Sequence, residues 1–330
     1  MEFLASRRLR RRTWVYVVCF GLTVVTTLVV GSHMQANYQA GLPVFAQPDE
    51  SVSFFPIFWA LSRPANLLLG LPFSATLMLI LFSHEMGHYL YCRYYGVEAT
   101  LPCFVPFPSL IGTLGAFIRI KSPIHSRSAL FDIGIAGPIA GFIVACIALV
   151  AGLHLSRPLQ PGGGPAAIQL GYPLIFWLGN QLLHGSGASP LGALDLHPVA
   201  IAAWAGMFAT AMNLLPGGQL DGGHIIFALA PRAHRIVSTL TVAALLPLGY
   251  YGWMGWLIWA VLLRATAMRH PMVPLYPQVS RGRRWVGLIA LAMFVLTFTP
   301  TPLRQSSGRE VFPQIRDGLR ETYQQAFHRR

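Results

Sequence analysis

Apolar runs of bilayer length constrain this chain more than any other feature. Trp14–Gly31 carries no charged residue, and Ala129–Leu153 carries only Asp132. Roughly 20 such residues cross a hydrocarbon core as a helix. Ala65–Tyr91 and Val199–Leu215 are further candidates, and Arg235–Leu263 and Trp285–Thr299 follow. Only helices and closed barrels satisfy every backbone polar group inside lipid. The runs therefore predict an all-α polytopic membrane protein of about six to seven transmembrane helices. The chain is 54% hydrophobic and 11% charged. Soluble domains carry about 25% charged residues, so composition points the same way.

Charge placement sets an orientation. There are 24 basic and 11 acidic residues among 330. The arginines gather at the two ends and between apolar runs, which fits membrane anchoring and argues against a nucleic-acid partner. Arg7, Arg8 and Arg10–Arg12 precede the first run, which reads as a retained signal anchor with its N-terminus in the cytoplasm. The expectation is a multi-pass protein of a bacterial cytoplasmic (inner) membrane. The second and fourth runs then both travel inward. Cys19, Cys92, Cys103 and Cys146 form no C-x-x-C pair and read as free, buried thiols.

Three regions follow. Residues 1–64 hold the basic segment, the first span and an external loop, Ser32 to about Pro64, with an interfacial piece near Phe54–Leu61. Residues 65–264 form the membrane core. Residues 265–330 hold a basic connector (Arg269–Arg284), a last apolar run and a charged tail. Within the core, Ala99–Ser128 is apolar but rich in Pro and Gly. Phe104–Leu110 and Gly115–Ile120 read as short strands of a re-entrant β-like element, packed on protein or a water-filled cavity. Tyr172–His184 reads as a surface-lying amphipathic stretch. Arg235–Leu263, broken near Pro247, Gly249 and Gly252, is either a hairpin of two short helices or one kinked helix. Asp132, at the start of the third span, caps that helix or pairs with Arg127.

The chemistry lies in His84-Glu85-Met86-Gly87-His88. Positions i and i+4 share one helix face, so His84 and His88 can present two imidazole nitrogens to one metal ion, with Glu85 beside them as a proton acceptor. Two surface histidines beside a solvated glutamate is the competing reading. The continuously apolar Leu77–Phe82 speaks against it, because ionisable groups at membrane depth are expensive and usually functional. A catalytic site needs a third protein ligand and an open position. Asp221 lies just past the inward end of the fourth span, in Asn213-Leu-Leu-Pro-Gly-Gly-Gln-Leu-Asp-Gly222. Taken alone, an Asp-Gly turn leaving the membrane is the better explanation; its depth, matching His84 and His88, is what recommends it as a ligand.

Together, H-E-M-G-H and N-L-L-P-G-G-Q-L-D-G-G-H resemble the paired signature of the site-2 protease family of intramembrane zinc metalloproteases. Phe131-Asp-Ile-Gly-Ile-Ala-Gly-Pro-Ile-Ala-Gly141 is similar to the family's Gly-Pro core helix. The resemblance covers roughly Ala65 to Arg264 and is to a compact form without PDZ or CBS domains. It implies Zn²⁺ held by His84, His88 and Asp221, with Glu85 as catalytic base and Asn213 near the reacting carbonyl or oxyanion. A helix cap before Pro216 is the alternative role for Asn213. The implied activity is a zinc metalloendopeptidase cutting transmembrane or membrane-associated protein substrates, with its active site near the cytoplasmic face. The Phe104–Ile120 segment is expected to receive substrate as an added strand. His224 is expected at the mouth of the site rather than among the ligands. His234, like the other scattered histidines, reads as a loop or interface residue.

Overall fold

The computed structural model describes residues 2–46, 57–159, 168–266, 278–304 and 309. Residues 160–167, the connector up to 277 and the charged tail from 310 lie outside the described residues, as does the start of the interfacial piece, before Ile57.

The described residues are mainly helical. Helix α1 spans Glu2–Ala40. It runs past Gly31, where hydropathy falls, because no Pro or Gly interrupts Ser32–Ala40 and Ser32, Met34 and Asn37 are buried. Gly41, at φ 73°, ends it. Two short helices follow, α2 (Ile57–Ser62) and α3 (Pro64–Leu68). The expected second span from Ala65 is thus divided. Pro72 has no amide hydrogen to continue an incoming helix and suits a first turn, and α4 runs from Leu71 to Tyr94. Gly31 and Gly70 let α1 and α4 cross closely; a Cβ on Gly31 would lie 2.8 Å from Gly70 O.

The chain then forms a hairpin of β1 (Cys103–Pro106) and β2 (Thr113–Phe117). The strands pair antiparallel, with Phe104 opposite Ala116 and a register shift at Val105/Pro106. β1 stops short of Leu110, because Pro106 and Pro108 cannot donate to a ladder, and β2 begins and ends earlier than the expected Gly115–Ile120. The hairpin rests on α1: Thr26 Oγ1 donates to Gly112 O at 2.6 Å, and Phe20 meets Phe104 edge-on at 5.2 Å.

Helix α5 covers Arg127–Leu155, and Ser126 Oγ caps it by accepting from Ala129 N. Strand β3 (Arg157–Pro158) pairs with β4 (Leu194–Asp195). Between them α6 (Leu174–His184) buries Phe176 and exposes Trp177, Leu178 and Leu182. Helix α7 (Pro198–Asn213) occupies the expected fourth span. After it come α8 (Asp221–Leu229), α9 (Pro231–Tyr251), α10 (Gly255–Thr266) and α11 (Arg281–Thr297). Of the two readings of Arg235–Leu263, the structure takes the two-helix hairpin. Its break falls at Gly252, and Pro247 stays inside α9.

Among the described residues, two helical stretches are long and apolar enough to cross a membrane, Trp14–Ala40 and Arg127–Leu155. One buried cluster joins α1, α4, α5 and α7 around Phe73, Leu77, Leu149, Ala203 and Met207. A second joins α5, α8 and α11 around Phe131, Ile225 and Met293. Asp132 does not pair with Arg127. Its carboxylate takes a two-point contact from Arg283, at 2.8 and 2.7 Å, and accepts from the Tyr95 hydroxyl. This ties α11 and the end of α4 to the start of α5.

Candidate metal centre

One helical turn of α4 places His84 above His88 on the face turned to α5 and α8. Their Nε2 atoms lie 3.2 Å apart. Asp221, the first residue of α8, brings Oδ2 to 3.3 Å from His84 Nε2 and 3.2 Å from His88 Nε2. The three ligand atoms thus form a nearly equilateral triangle, and they are the described chain's group of metal-ligating donors. Zinc bonds to nitrogen and carboxylate oxygen of about 2.0–2.1 Å, in tetrahedral directions, imply edges of about 3.3–3.4 Å. The donor set fits zinc in both chemistry and spacing.

The surroundings orient the His88 lone pair toward the triangle. His88 Nδ1 is 2.7 Å from Ile133 O. A carbonyl oxygen only accepts, so Nδ1 carries the hydrogen and Nε2 presents its lone pair to the triangle. Helix α5 lies close because its facing residues are glycines. A Cβ on Gly137 would collide with the His88 ring, and one on Gly141 would lie 3.0 Å from His84 Cβ. A Cβ on Gly134 would lie 3.2 Å from His224 Cβ and 3.6 Å from Asp221 O. These glycines, at i, i+3 and i+7, form the wall against which the imidazoles sit.

Helix α8 is held at both ends. Its first residue faces the histidines. At its other end, the buried Arg127 guanidinium donates to Ala228 O through Nε at 2.7 Å and to Leu229 O at 3.1 Å. A cation on the last carbonyls of a helix satisfies orphan acceptors and complements the dipole. His224, one turn into α8, is outside the triangle.

Glu85 is 5% exposed. It shares with His84 and Asn213 the wall of a cavity of about 350 Å³ that extends along β2 past Thr113 and Gly115. Asn213 Nδ2 is 3.2 Å from His84 Nε2. All five residues singled out in the sequence therefore meet in one place. The sequence did not reveal the Ile133 carbonyl, Arg127 as the anchor of α8, or which neighbour the α5 glycines face.

The site sits within a recognisable lineage. Residues 72–252 match Peptidase family M50, the site-2 protease family. The chain is 29% identical over 315 residues to the Arabidopsis thaliana protein named "Probable zinc metalloprotease EGY1, chloroplastic", which covers 90% of this chain and 55% of that protein. It is 32% identical over 239 residues to "Probable zinc metalloprotease EGY2, chloroplastic" of the same plant, covering 71% and 42%. Against EGY3 of Oryza sativa subsp. indica it is 28% identical over 250 residues, covering 70% and 42%. The chain spans about half the length of these curated relatives. These relatives are named as chloroplastic plant proteins, which contradicts the expectation of a bacterial cytoplasmic membrane. A match across more than half of the chain, containing both motifs, means that this chain belongs to peptidase family M50.

Proposed function

We propose that the chain is an intramembrane zinc metallopeptidase that hydrolyses peptide bonds of transmembrane or membrane-associated proteins in a plastid membrane. The observation that carries this is the triangle of His84 Nε2, His88 Nε2 and Asp221 Oδ2, at edges of 3.2–3.3 Å, with Glu85 beside it on the same cavity. His84, His88 and Asp221 would hold the zinc. When bound, zinc supplies Lewis acidity that makes water nucleophilic near neutral pH and polarises a carbonyl.

The protein groups do the rest. Glu85 accepts the proton of the attacking water and passes it to the departing amine nitrogen. Asn213, whose amide reaches the ligand triangle, donates to the oxygen of the scissile carbonyl as charge develops there. His88 is held in one tautomer by Ile133 O. Substrate enters along β2, which has β1 on one edge and no strand on the other among the described residues. An extended peptide adds to such an edge through its own backbone. A helical substrate has to unwind first, because a helix ties up the scissile amide in its own hydrogen bonds.

The membrane frame follows from the same reading. α1, α4, α5, α7, the α9–α10 hairpin and α11 supply about six or seven crossings. The catalytic core is 65–264, flanked by 1–64 and 265–330, and the family match at 72–252 falls inside that core.

The test is Glu85→Gln in liposomes, with a single-span protein as substrate. Cleavage should fall by about 100-fold or more, the usual contribution of a general base, while bound zinc stays at the wild-type level. Undiminished cleavage would remove Glu85 from the mechanism.

A further inference from the structure

Asp221 is delivered by a segment that is neither helix nor strand. After Asn213 the helix ends, Pro216 lacks an amide hydrogen, and Gly218 adopts φ 59°. A loop of this kind does not fix a carboxylate to a few tenths of an ångström by itself. Its backbone polar groups end instead on one face of α9. His234 Nε2 is 3.2 Å from Gly218 O, so Nε2 carries the hydrogen and donates. Gly218 N–H donates to Ser238 Oγ at 3.3 Å. Thr241 Oγ1 shares its hydrogen between Pro216 O at 3.1 Å and Val237 O of its own helix at 2.9 Å.

Three features make this arrangement specific. Residues 234, 238 and 241 are spaced i, i+4 and i+7, one stripe of a helix. His234 is 5% exposed and Ser238 2%, and polar groups buried this deeply are costly without partners. Their partners belong to the loop that ends in Asp221. The contact is also close: a Cβ on Gly217 would lie 3.4 Å from Ser238 Cα. Below the stripe, the His234 ring meets Phe227 of α8 edge-on at 5.6 Å.

We infer that His234 and Ser238, with Thr241, are positioning residues that hold the Asp221 carboxylate against the two histidines. This inference rests on the metal-centre reading given above. None of the three touches substrate or metal. Their action is to fix the backbone on either side of Gly217, so that α8 starts where its first side chain completes the triangle.

The experiment uses the full chain in detergent micelles. Zinc affinity is measured by competition with a chromophoric chelator. Hydrogen–deuterium exchange is measured on the metal-free protein over residues 214–224. His234→Leu removes the donor, His234→Gln keeps an N–H near the position of Nε2, and Ser238→Ala removes one acceptor while barely changing volume. Asp221→Ala is the control. We expect H234L and S238A to lower zinc affinity about 10-fold, as losses of outer-shell support do, and to speed exchange in the loop. H234Q should stay within about twofold of wild type. Ser238→Ala carries the test if H234L does not fold.

Weak zinc binding by D221A, together with wild-type affinity and wild-type loop exchange in H234L and S238A, overturns this inference alone. Equal losses in H234L and H234Q also overturn it, because the donor would then be irrelevant. Wild-type affinity in D221A overturns the metal-centre reading, and this inference with it.

Discussion

Replacing Gly137 with alanine should weaken the metal centre while leaving the fold in place. The added Cβ would lie 2.5 Å from His88 Cε1 and nearer still to Nε2 and Cδ2. Carbon contacts settle at about 3.5–4.0 Å, so ring and helix must part by roughly an ångström. Ligand bonds tolerate only about 0.2 Å. His88 is therefore lost as a ligand unless the backbone moves. Zinc affinity should fall by about 100-fold, the upper end for disturbed outer-shell support, or about 2.7 kcal/mol. The effect on the metal-free fold is smaller. Overpacking costs about 1–3 kcal/mol, and alanine recovers about 1 kcal/mol of helix propensity over glycine. Gly141→Ala grades the argument. Its Cβ would lie 3.0 Å from His84 Cβ and 3.2 Å from Nδ1, so the neighbour need give only a few tenths of an ångström. Chelator competition on wild type, G141A and G137A should give that order of decreasing affinity. Wild-type zinc affinity in G137A would refute the packing argument.

Other consequences are more quickly stated. Arg127→Leu strips the C-terminal anchor from α8 and leaves two carbonyls without their charged donor, at about 1.5–3 kcal/mol for such a bond; a lower melting temperature in detergent, with weaker zinc binding, is the expected pair. Arg127→Lys should be intermediate, since an ammonium lacks the planar fork that spans both Ala228 and Leu229. Arg283→Ala releases α11 from Asp132 and Tyr95, and limited proteolysis should then cut near residues 278–281 faster than in wild type. Treatment with a strong chelator should abolish cleavage. Zinc should restore it and magnesium should not, because two imidazoles and one carboxylate suit zinc rather than an oxygen-seeking ion.

The sequence shows local periodicity well and long-range facing poorly. His84 and His88 are legible because i and i+4 share a helix face whatever the helix packs against. Asp221 is legible through the resemblance of its motif and through depth, an argument that needs the fourth span to run inward. Gly134, Gly137 and Gly141 stand at helical spacing, yet nothing in that spacing says that imidazoles occupy the space they leave. Arg127 and Asp132 show the opposite failure. Five residues apart and opposite in charge, they invite pairing, yet each takes a partner more than 100 residues away. Arg127 binds the carbonyls of Ala228 and Leu229, and Asp132 binds Arg283. Backbone partners leave no trace in side-chain identity, which is why the Ile133 carbonyl was not visible. Helix α1 outruns its apolar stretch because hydropathy marks where lipid stops, whereas a helix stops at a breaker such as Gly41.

X-ray absorption at the zinc K-edge, on the chain purified without chelators, tests the central claim most directly. The account predicts zinc at unit stoichiometry with only light-atom ligands at about 2.0–2.1 Å, two of them showing imidazole scattering, and loss of that signal in Asp221→Ala. Absence of zinc, or a sulfur ligand at about 2.3 Å, would contradict it.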